Sequence, residues 1–175
     1  MMKKGYIQIY TGNGKGKTTA ALGVSLRAAG HGLRIGIVQF MKDFQYGELK
    51  ALKRFDDLIT VRRFGNDRFV FKKEMPSEKD KAEAAKGLSE AREMMQSSKY
   101  DIIILDEICV AIYFKLVTEK QVLEVIDFRP QNIELILTGR YCPPSIMARG
   151  DLVTEMKDVR HYYQKGVRSR TGIES

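Results

Sequence analysis

The chain has 175 residues, of which 43% are hydrophobic and 30% are charged. This length and composition indicate one soluble domain, residues 1–175, and no apolar run is long enough to span a membrane. The N-terminal residues lack the pattern of a signal peptide, so a cytoplasmic location is expected. Cys109 and Cys142 lie in no metal-ligand spacing, which disfavours a zinc site and predicts reduced structural cysteines.

The net charge of +8 favours anionic partners such as nucleotides or phosphorylated ligands. A solvated basic surface explains the charge equally well, because lysine and arginine are spread along the chain. No motif for nucleic-acid binding accompanies the charge, so neither nucleic acid nor membrane is expected as a partner.

The first part of the chain alternates between predicted strands and helices. A strand at 6–10 leads through a glycine loop at 11–17 into a helix at 18–29, which the glycines that follow it end. A second strand is predicted at 34–40, and helical spacing follows at 47–57.

The middle of the chain continues this alternation. A third strand is predicted at 58–64, and a loop follows at 65–76. Ser77 and Asp80 then form a capping-box pattern that opens a helix. The predicted buried face of this helix consists of Ala82, Ala85, Leu88, Ala91 and Met95.

The last part of the chain contains three more predicted strands, at 102–105, 133–137 and 151–156. Another helix is expected to begin at Thr118 and to end before Pro130. Strands that alternate with helices predict a single-domain α/β fold like that of P-loop NTPases, with a mostly parallel sheet and helices on both faces. Ligands of such sheets bind beyond the carboxyl ends of the strands.

The glycine loop between the first strand and the first helix is the most specific motif. Its N–H groups can surround an anion, Lys17 can reach phosphate oxygens, and the Thr18 hydroxyl can ligate Mg²⁺ or Mn²⁺. The first glycine comes one residue later than in the usual pattern G-x-x-x-x-G-K-[ST], so the loop is tighter. The motif therefore indicates nucleotide binding more strongly than ATP hydrolysis. A glycine-rich turn without a ligand is the weaker alternative. The predicted ATP-binding residues are Gly12, Asn13, Gly14, Lys15, Gly16, Lys17, Thr18, Thr19 and Arg140.

Asp106 and Glu107 follow the apolar strand at 102–105, where a carboxylate could hold magnesium directly or through water. The alternative is that Asp106 caps the next helix and Glu107 interacts with its dipole. The nearby phosphate loop favours the metal role.

Several further residues are candidates for contacts with a second substrate. Lys42, Glu48 and Arg140 follow strands at the same predicted edge, although an ordinary loop explains each one taken singly. Phe69 and Phe71 would share one face of an extended segment. The pattern slightly favours packing of these two rings in the core over an aromatic platform for a large flat ligand.

The chain resembles the P-loop type of ATP:corrinoid (cob(I)alamin) adenosyltransferases. The resemblance rests on TGNGKGKTTAA from Thr11, RAAGHG from Arg27, VQFMK from Val38, LDE from Leu105 and TGR from Thr138. Further matches are Gly47-Glu48, Arg129-Pro130, DLVTEM from Asp151, His161 and GIE from Gly172. These stretches occur in family order and extend over nearly the whole chain.

The resemblance implies transfer of the 5′-deoxyadenosyl group of ATP to the Co(I) of a corrinoid, with release of intact triphosphate. It implies catalytic roles for Lys17 and Glu107, magnesium contacts from Thr18 and Glu107, and corrinoid contacts from Phe69 and Phe71. ATP is expected to lie in the loop in a reversed sense, a homodimer is expected, and an electron-donating flavoprotein reductase is the expected partner. Phe71 stands where the family usually has Trp, and the helix that precedes the first strand in many relatives is expected to be missing or replaced.

Two other functions compete with this interpretation. A P-loop ATPase or small-molecule kinase would use the γ-phosphate and release ADP, but no base or water-positioning residue is recognisable for it. A nucleic-acid-binding module would need only the basic charge and would lose affinity steeply with salt.

Overall fold

A computed structural model describes residues 3–42, 47–66 and 74–174 of the chain. Its centre is a six-stranded sheet in which every paired strand is parallel to its neighbour. The strands are β1 (Ile7–Thr11), β2 (Ile35–Phe40), β3 (Ile59–Phe64), β4 (Ile102–Asp106), β5 (Glu134–Thr138) and β6 (Leu152–Glu155). Their order across the sheet is β3-β2-β4-β5-β1-β6.

Six α-helices connect the strands in the described part of the chain. They are α1 (Lys17–Ala29), α2 (Gly47–Leu52), α3 (Glu78–Gln96), α4 (Ile108–Tyr113), α5 (Glu119–Phe128) and α6 (Pro144–Met147). Short 3₁₀ turns occupy Lys53–Phe55 and Tyr162–Lys165. No helix of the described segments is both long enough and apolar enough to cross a bilayer.

The predicted strands and the predicted α/β fold are confirmed. Each observed strand overlaps its predicted range, with ends that differ by at most one residue. The alternation of side chains explains the two-sided sheet, because Val38 and Phe40 pack in the core on one face while Ile35 and Ile37 pack in the core on the other. Helices α3, α4, α5 and α6 contribute to the first core, and α1 contributes to the second.

The capping box of α3 is confirmed, but its predicted buried face is partly wrong. Asp80 N–H donates to Ser77 Oγ at 3.3 Å, and Ser77 N–H donates to Asp80 Oδ2 at 2.9 Å. Ala82 and Ala85 are exposed, whereas Ala84 and Gly87 are buried.

The reason lies at Gly87, where a Cβ atom would come within 2.7 Å of Phe40 Cε1. The helix approaches β2 so closely at this point that the ring occupies the space a side chain would need. Alanine is only weakly hydrophobic, so the spacing of alanines in the sequence does not show which of two neighbouring faces of α3 is buried.

The parallel sheet brings the carboxyl ends of β2, β4, β5 and β1 to one edge. Lys42, Glu107, Arg140 and the glycine loop follow these four strands, so the candidate residues converge there. Both cysteines are buried and free, as expected.

Candidate active site

The glycine loop connects β1 to the N-terminus of α1, as predicted. Gly12 and Gly16 have positive φ values of 93° and 116°, which glycine adopts without strain. A Cβ at Gly12 would lie 2.4 Å from the carbonyl oxygen of Met156, and Gly14 N–H donates to that same oxygen at 2.7 Å. The segment after β6 therefore presses against the loop and requires glycine at these positions.

Lys17 is the first residue of α1, and its side chain turns back across the loop. Its ammonium donates to the carbonyl oxygens of Gly12 and Gly14, both at 2.7 Å. Burial and the nearby positive charge of Arg140 lower the pKa of Lys17. The ammonium thus braces the loop from inside while it adds positive charge to the site.

Asp106 is the centre of a buried hydrogen-bond network at the end of β4. Its Oδ1 accepts from Thr18 Oγ1 at 2.8 Å and from Thr138 Oγ1 at 2.7 Å. Its Oδ2 accepts from Gln39 Nε2 at 3.0 Å and from Lys42 Nζ at 2.6 Å. Burial opposes ionisation of Asp106, but the charge of Lys42 and these donors outweigh it and hold the pKa of the carboxyl below its ordinary value.

The alternative that Asp106 caps α4 is wrong, because Asp106 belongs to β4 and its oxygens bond to other strands and to α1. Glu107 occupies the N-cap position in the left-handed conformation, with φ 63°, and its side chain caps nothing. Its N–H donates to Thr138 Oγ1 at 2.9 Å. Burial and the adjacent charge of Asp106 raise the pKa of Glu107.

A cavity of about 880 Å³ lies over the loop and collects most of the predicted residues. Among the predicted residues it is lined by Gly14, Lys15, Gly16, Lys17, Thr18, Thr19, Glu107 and Arg140. The volume is within the usual range for small-molecule and cofactor sites. Gly12 and Asn13 belong to the loop but do not line the cavity, and Phe69 and Phe71 lie outside the described residues.

The C-terminal tail forms a wall of this cavity that sequence reasoning did not assign. Lys15 Nζ donates to Glu174 Oε1 at 2.8 Å, to Tyr162 Oη at 3.1 Å and to the carbonyl of Ile173 at 3.3 Å. Arg170 holds Glu174 from the other side through its N–H and its guanidinium, and the Tyr162 hydroxyl also donates to Glu174. In the sequence, Gly172-Ile173-Glu174 matches the family, but this match does not indicate that Glu174 contacts Lys15.

Comparison with known proteins decides the family. A family model described as ATP:corrinoid adenosyltransferase BtuR/CobO/CobP matches residues 3–175. The chain belongs to the ATP:corrinoid adenosyltransferase family. The corrinoid adenosyltransferase of Escherichia coli (strain K12) is 34% identical over 173 residues, which cover 98% of this chain and 86% of that protein. Corrinoid adenosyltransferase CobA of Salmonella typhimurium is 32% identical over the same length and the same shares.

Membership of the family makes the chain an ATP:corrinoid adenosyltransferase, with ATP and a corrinoid as its substrates. Among solved structures, the flagellar accessory protein FlaH of Methanocaldococcus jannaschii aligns with a TM-score of 0.61 and 12% identity. That alignment covers 88% of this chain and 72% of FlaH. At such low identity the likeness concerns the fold alone.

Proposed function

We propose that the loop from Gly12 to Thr19 holds the triphosphate of ATP and that Co(I) attacks the ribose C5′ carbon. A cobalt–carbon bond forms, the C5′–oxygen bond breaks, and its electron pair leaves with the triphosphate. The observation that carries this proposal is the convergence of the loop, Lys17, Arg140 and Glu107 on one cavity.

This reaction needs alignment and charge neutralisation more than acid–base catalysis, because Co(I) is already a strong nucleophile. Backbone N–H groups at the N-terminus of α1 and the ammonium of Lys17 would stabilise the charge that develops on the leaving triphosphate. Arg140, at the carboxyl end of β5, would add a second positive group. Holding C5′ in line with cobalt would supply much of the remaining acceleration.

The same residues fit a magnesium ion, which would help to neutralise the triphosphate. Mg²⁺ prefers oxygen ligands and usually keeps one or two carboxylates, water and phosphate oxygens around it. Thr18 and Glu107 face the cavity and offer such oxygens, while Asp106 fixes Thr18 through the bond of 2.8 Å. We assign Thr18 and Glu107 as the metal-holding residues, with Lys17 and Glu107 as the catalytic ones.

Phe69 and Phe71 are proposed to contact the corrinoid and to displace its lower ligand, which would ease reduction to Co(I). Reduction requires an electron donor, so a flavoprotein reductase is the proposed partner.

Residues 1–175 are proposed to act as one domain within a homodimer. A cytoplasmic location is proposed because ATP is available there.

The products distinguish this reaction from γ-phosphate chemistry. The protein is incubated with ATP, Mg²⁺ and chemically reduced corrinoid, and both products are identified by chromatography and absorbance. Adenosylcorrinoid and triphosphate are expected in equal amounts. Release of ADP without adenosylcorrinoid would refute the proposed attack at C5′.

Phe69→Ala is expected to impair turnover with a Co(II) corrinoid and a reductant, while pre-reduced Co(I) restores it.

A further inference from the structure

Lys42 stands at the metal-binding edge of the cavity, although the family assignment gives it no role there. It follows β2 directly, after Met41, whose φ of 58° is unusual for a residue with a side chain. Met41 N–H donates to the carbonyl of Phe64 at 3.0 Å, so this turn is tied to the neighbouring strand. The backbone therefore holds Lys42 in a defined place instead of leaving it on a free loop end.

The ammonium of Lys42 lies beside Thr18, one of the two side chains proposed to hold the divalent cation, and contacts the neighbouring carboxylate of Asp106. Its Nζ is 2.6 Å from Asp106 Oδ2 and 3.5 Å from Thr18 Oγ1. The side chains of Lys42 and Asp106 are only 12% and 2% exposed, so water screens this pair weakly. Because Thr18 gives its proton to Asp106 Oδ1, the lone pairs of its oxygen remain for a cation.

Distances show that the ammonium and a metal ion would interfere with one another. Mg²⁺ binds oxygen at about 2.0–2.1 Å. With Lys42 Nζ at 3.5 Å from the same Thr18 oxygen, an ion bound there would lie at most about 5.6 Å from the ammonium. Repulsion between the two cations at that separation, in a weakly screened site, opposes binding of the metal.

We propose that Lys42 is a built-in counter-cation of the metal subsite, which gives way to the divalent ion and then neutralises the polyphosphate. Before the metal arrives, Lys42 compensates Asp106 and keeps Thr18 aligned. When the metal takes over that compensation, the ammonium turns to the triphosphate in the same cavity. Lys42 thus couples metal binding to nucleotide binding. This inference rests on the proposed metal site at Thr18 and Glu107.

Two binding measurements test this role, because removal of the Lys42 charge should raise the affinity for one ligand and lower it for the other. Mn²⁺ alone is titrated and followed by electron paramagnetic resonance, and inorganic tripolyphosphate alone is titrated by calorimetry without metal. Lys42→Met is expected to bind Mn²⁺ at least tenfold more tightly than the wild type, because the competing charge is gone. The same variant is expected to bind metal-free tripolyphosphate at least tenfold more weakly, because the charge of Lys42 no longer offsets the negative charge of Asp106 beside the polyphosphate.

Matched variants separate the charge from its surroundings. Lys50→Met removes an exposed lysine from α2 and is expected to change neither affinity. Lys42→Gln keeps a donor for Asp106 without the charge, and it should behave like Lys42→Met even if the latter folds poorly. Lys42→Arg keeps the charge and should leave Mn²⁺ affinity close to that of the wild type.

The outcomes separate this inference from the proposed function. Equal or weaker Mn²⁺ binding in both neutral variants would overturn the role of Lys42. Mn²⁺ that binds just as well after Thr18→Val would instead refute the proposed metal site. Tighter Mn²⁺ binding that disappears on adding Thr18→Val to Lys42→Met would support both.

Discussion

Glu174, one residue from the end of the chain, accepts a hydrogen bond of 2.8 Å from the ammonium of Lys15 in the glycine loop. This contact joins residues that are 159 positions apart and fixes the tail against the cavity. Exposed ion pairs contribute little stability individually, but here Arg170, Tyr162 and the carbonyl of Ile173 share the same cluster. The arrangement makes the tail part of the proposed nucleotide site.

Removal of the Glu174 carboxylate should loosen the tail. Glu174→Ala takes away the acceptor shared by Lys15, Tyr162 and Arg170, so trypsin should cut after Lys165, Arg168 or Arg170 severalfold faster than in the wild type. Limited proteolysis followed by mass spectrometry measures the rate. Glu93→Ala, an exposed change on α3, is the control and should leave the cleavage rate unchanged. Equal rates in wild type and Glu174→Ala would show that the cluster does not hold the tail.

The same cluster predicts how docking of the tail depends on pH. Hydrogen bonds from Arg170, Lys15 and Tyr162 lower the pKa of Glu174, so the ionised form is favoured in the folded chain. The contribution is therefore complete above the unfolded value of about 4.3 and is lost as pH falls through the lower folded value. An NMR titration of the Glu174 carboxyl should show a midpoint below the unfolded value, and Lys15→Met should move this midpoint upward. A midpoint that Lys15→Met leaves unchanged would remove Lys15 from the explanation.

Lys17→Ala should abolish adenosyl transfer and weaken ATP binding. The variant loses the charge offered to the triphosphate and the two hydrogen bonds of 2.7 Å that brace the loop. A charged hydrogen bond contributes about 1.5–3 kcal/mol, so a loss of at least tenfold in affinity is expected. Calorimetric titration with ATP and the formation rate of adenosylcorrinoid measure the two effects. Lys53→Ala, at a 3₁₀ turn outside the cavity, should retain both. Unchanged ATP affinity in Lys17→Ala would contradict the proposed triphosphate site.

Two glycine substitutions should change stability in opposite directions. Gly87→Ala would place Cβ 2.7 Å from the ring of the fully buried Phe40, and such overpacking costs about 1–3 kcal/mol. Gly23→Ala in α1 would meet nothing within 4 Å, and the better helix propensity of alanine should add about 0.5–1 kcal/mol. Urea unfolding of both variants measures the free energies. A stabilised Gly87→Ala would mean that α3 does not approach β2 as closely as described.

The strands and the phosphate loop could be predicted because their signals are local. Apolar alternation located six strands to within one residue, and the spacing of glycines with Lys17 located the loop. The network around Asp106 could not be predicted in this way, because Lys42 is 64 residues away and reaches Asp106 only because β2 pairs with β4. Strand order depends on packing of the whole sheet, which no local pattern specifies. The contact between Lys15 and the tail could not be predicted either, because it joins residues that are 159 positions apart in the sequence.

The buried pair of Lys42 and Asp106 should show strong coupling in a double-mutant cycle. Asp106→Asn leaves the ammonium of Lys42 without its carboxylate, and breaking a buried pair in this way costs about 3–5 kcal/mol. Lys42→Met leaves the carboxylate uncompensated and should also destabilise the fold. The double variant removes both charges, so its loss of unfolding free energy should be smaller than the sum of the two single losses by at least about 1 kcal/mol. Urea unfolding measures all four corners of the cycle, and Glu78→Gln with Lys81→Met, an exposed pair at 2.7 Å, is the control. Because water screens that exposed pair, its coupling should stay below about 0.5 kcal/mol. Additive losses at Lys42 and Asp106 would mean that other groups at this edge compensate each charge separately.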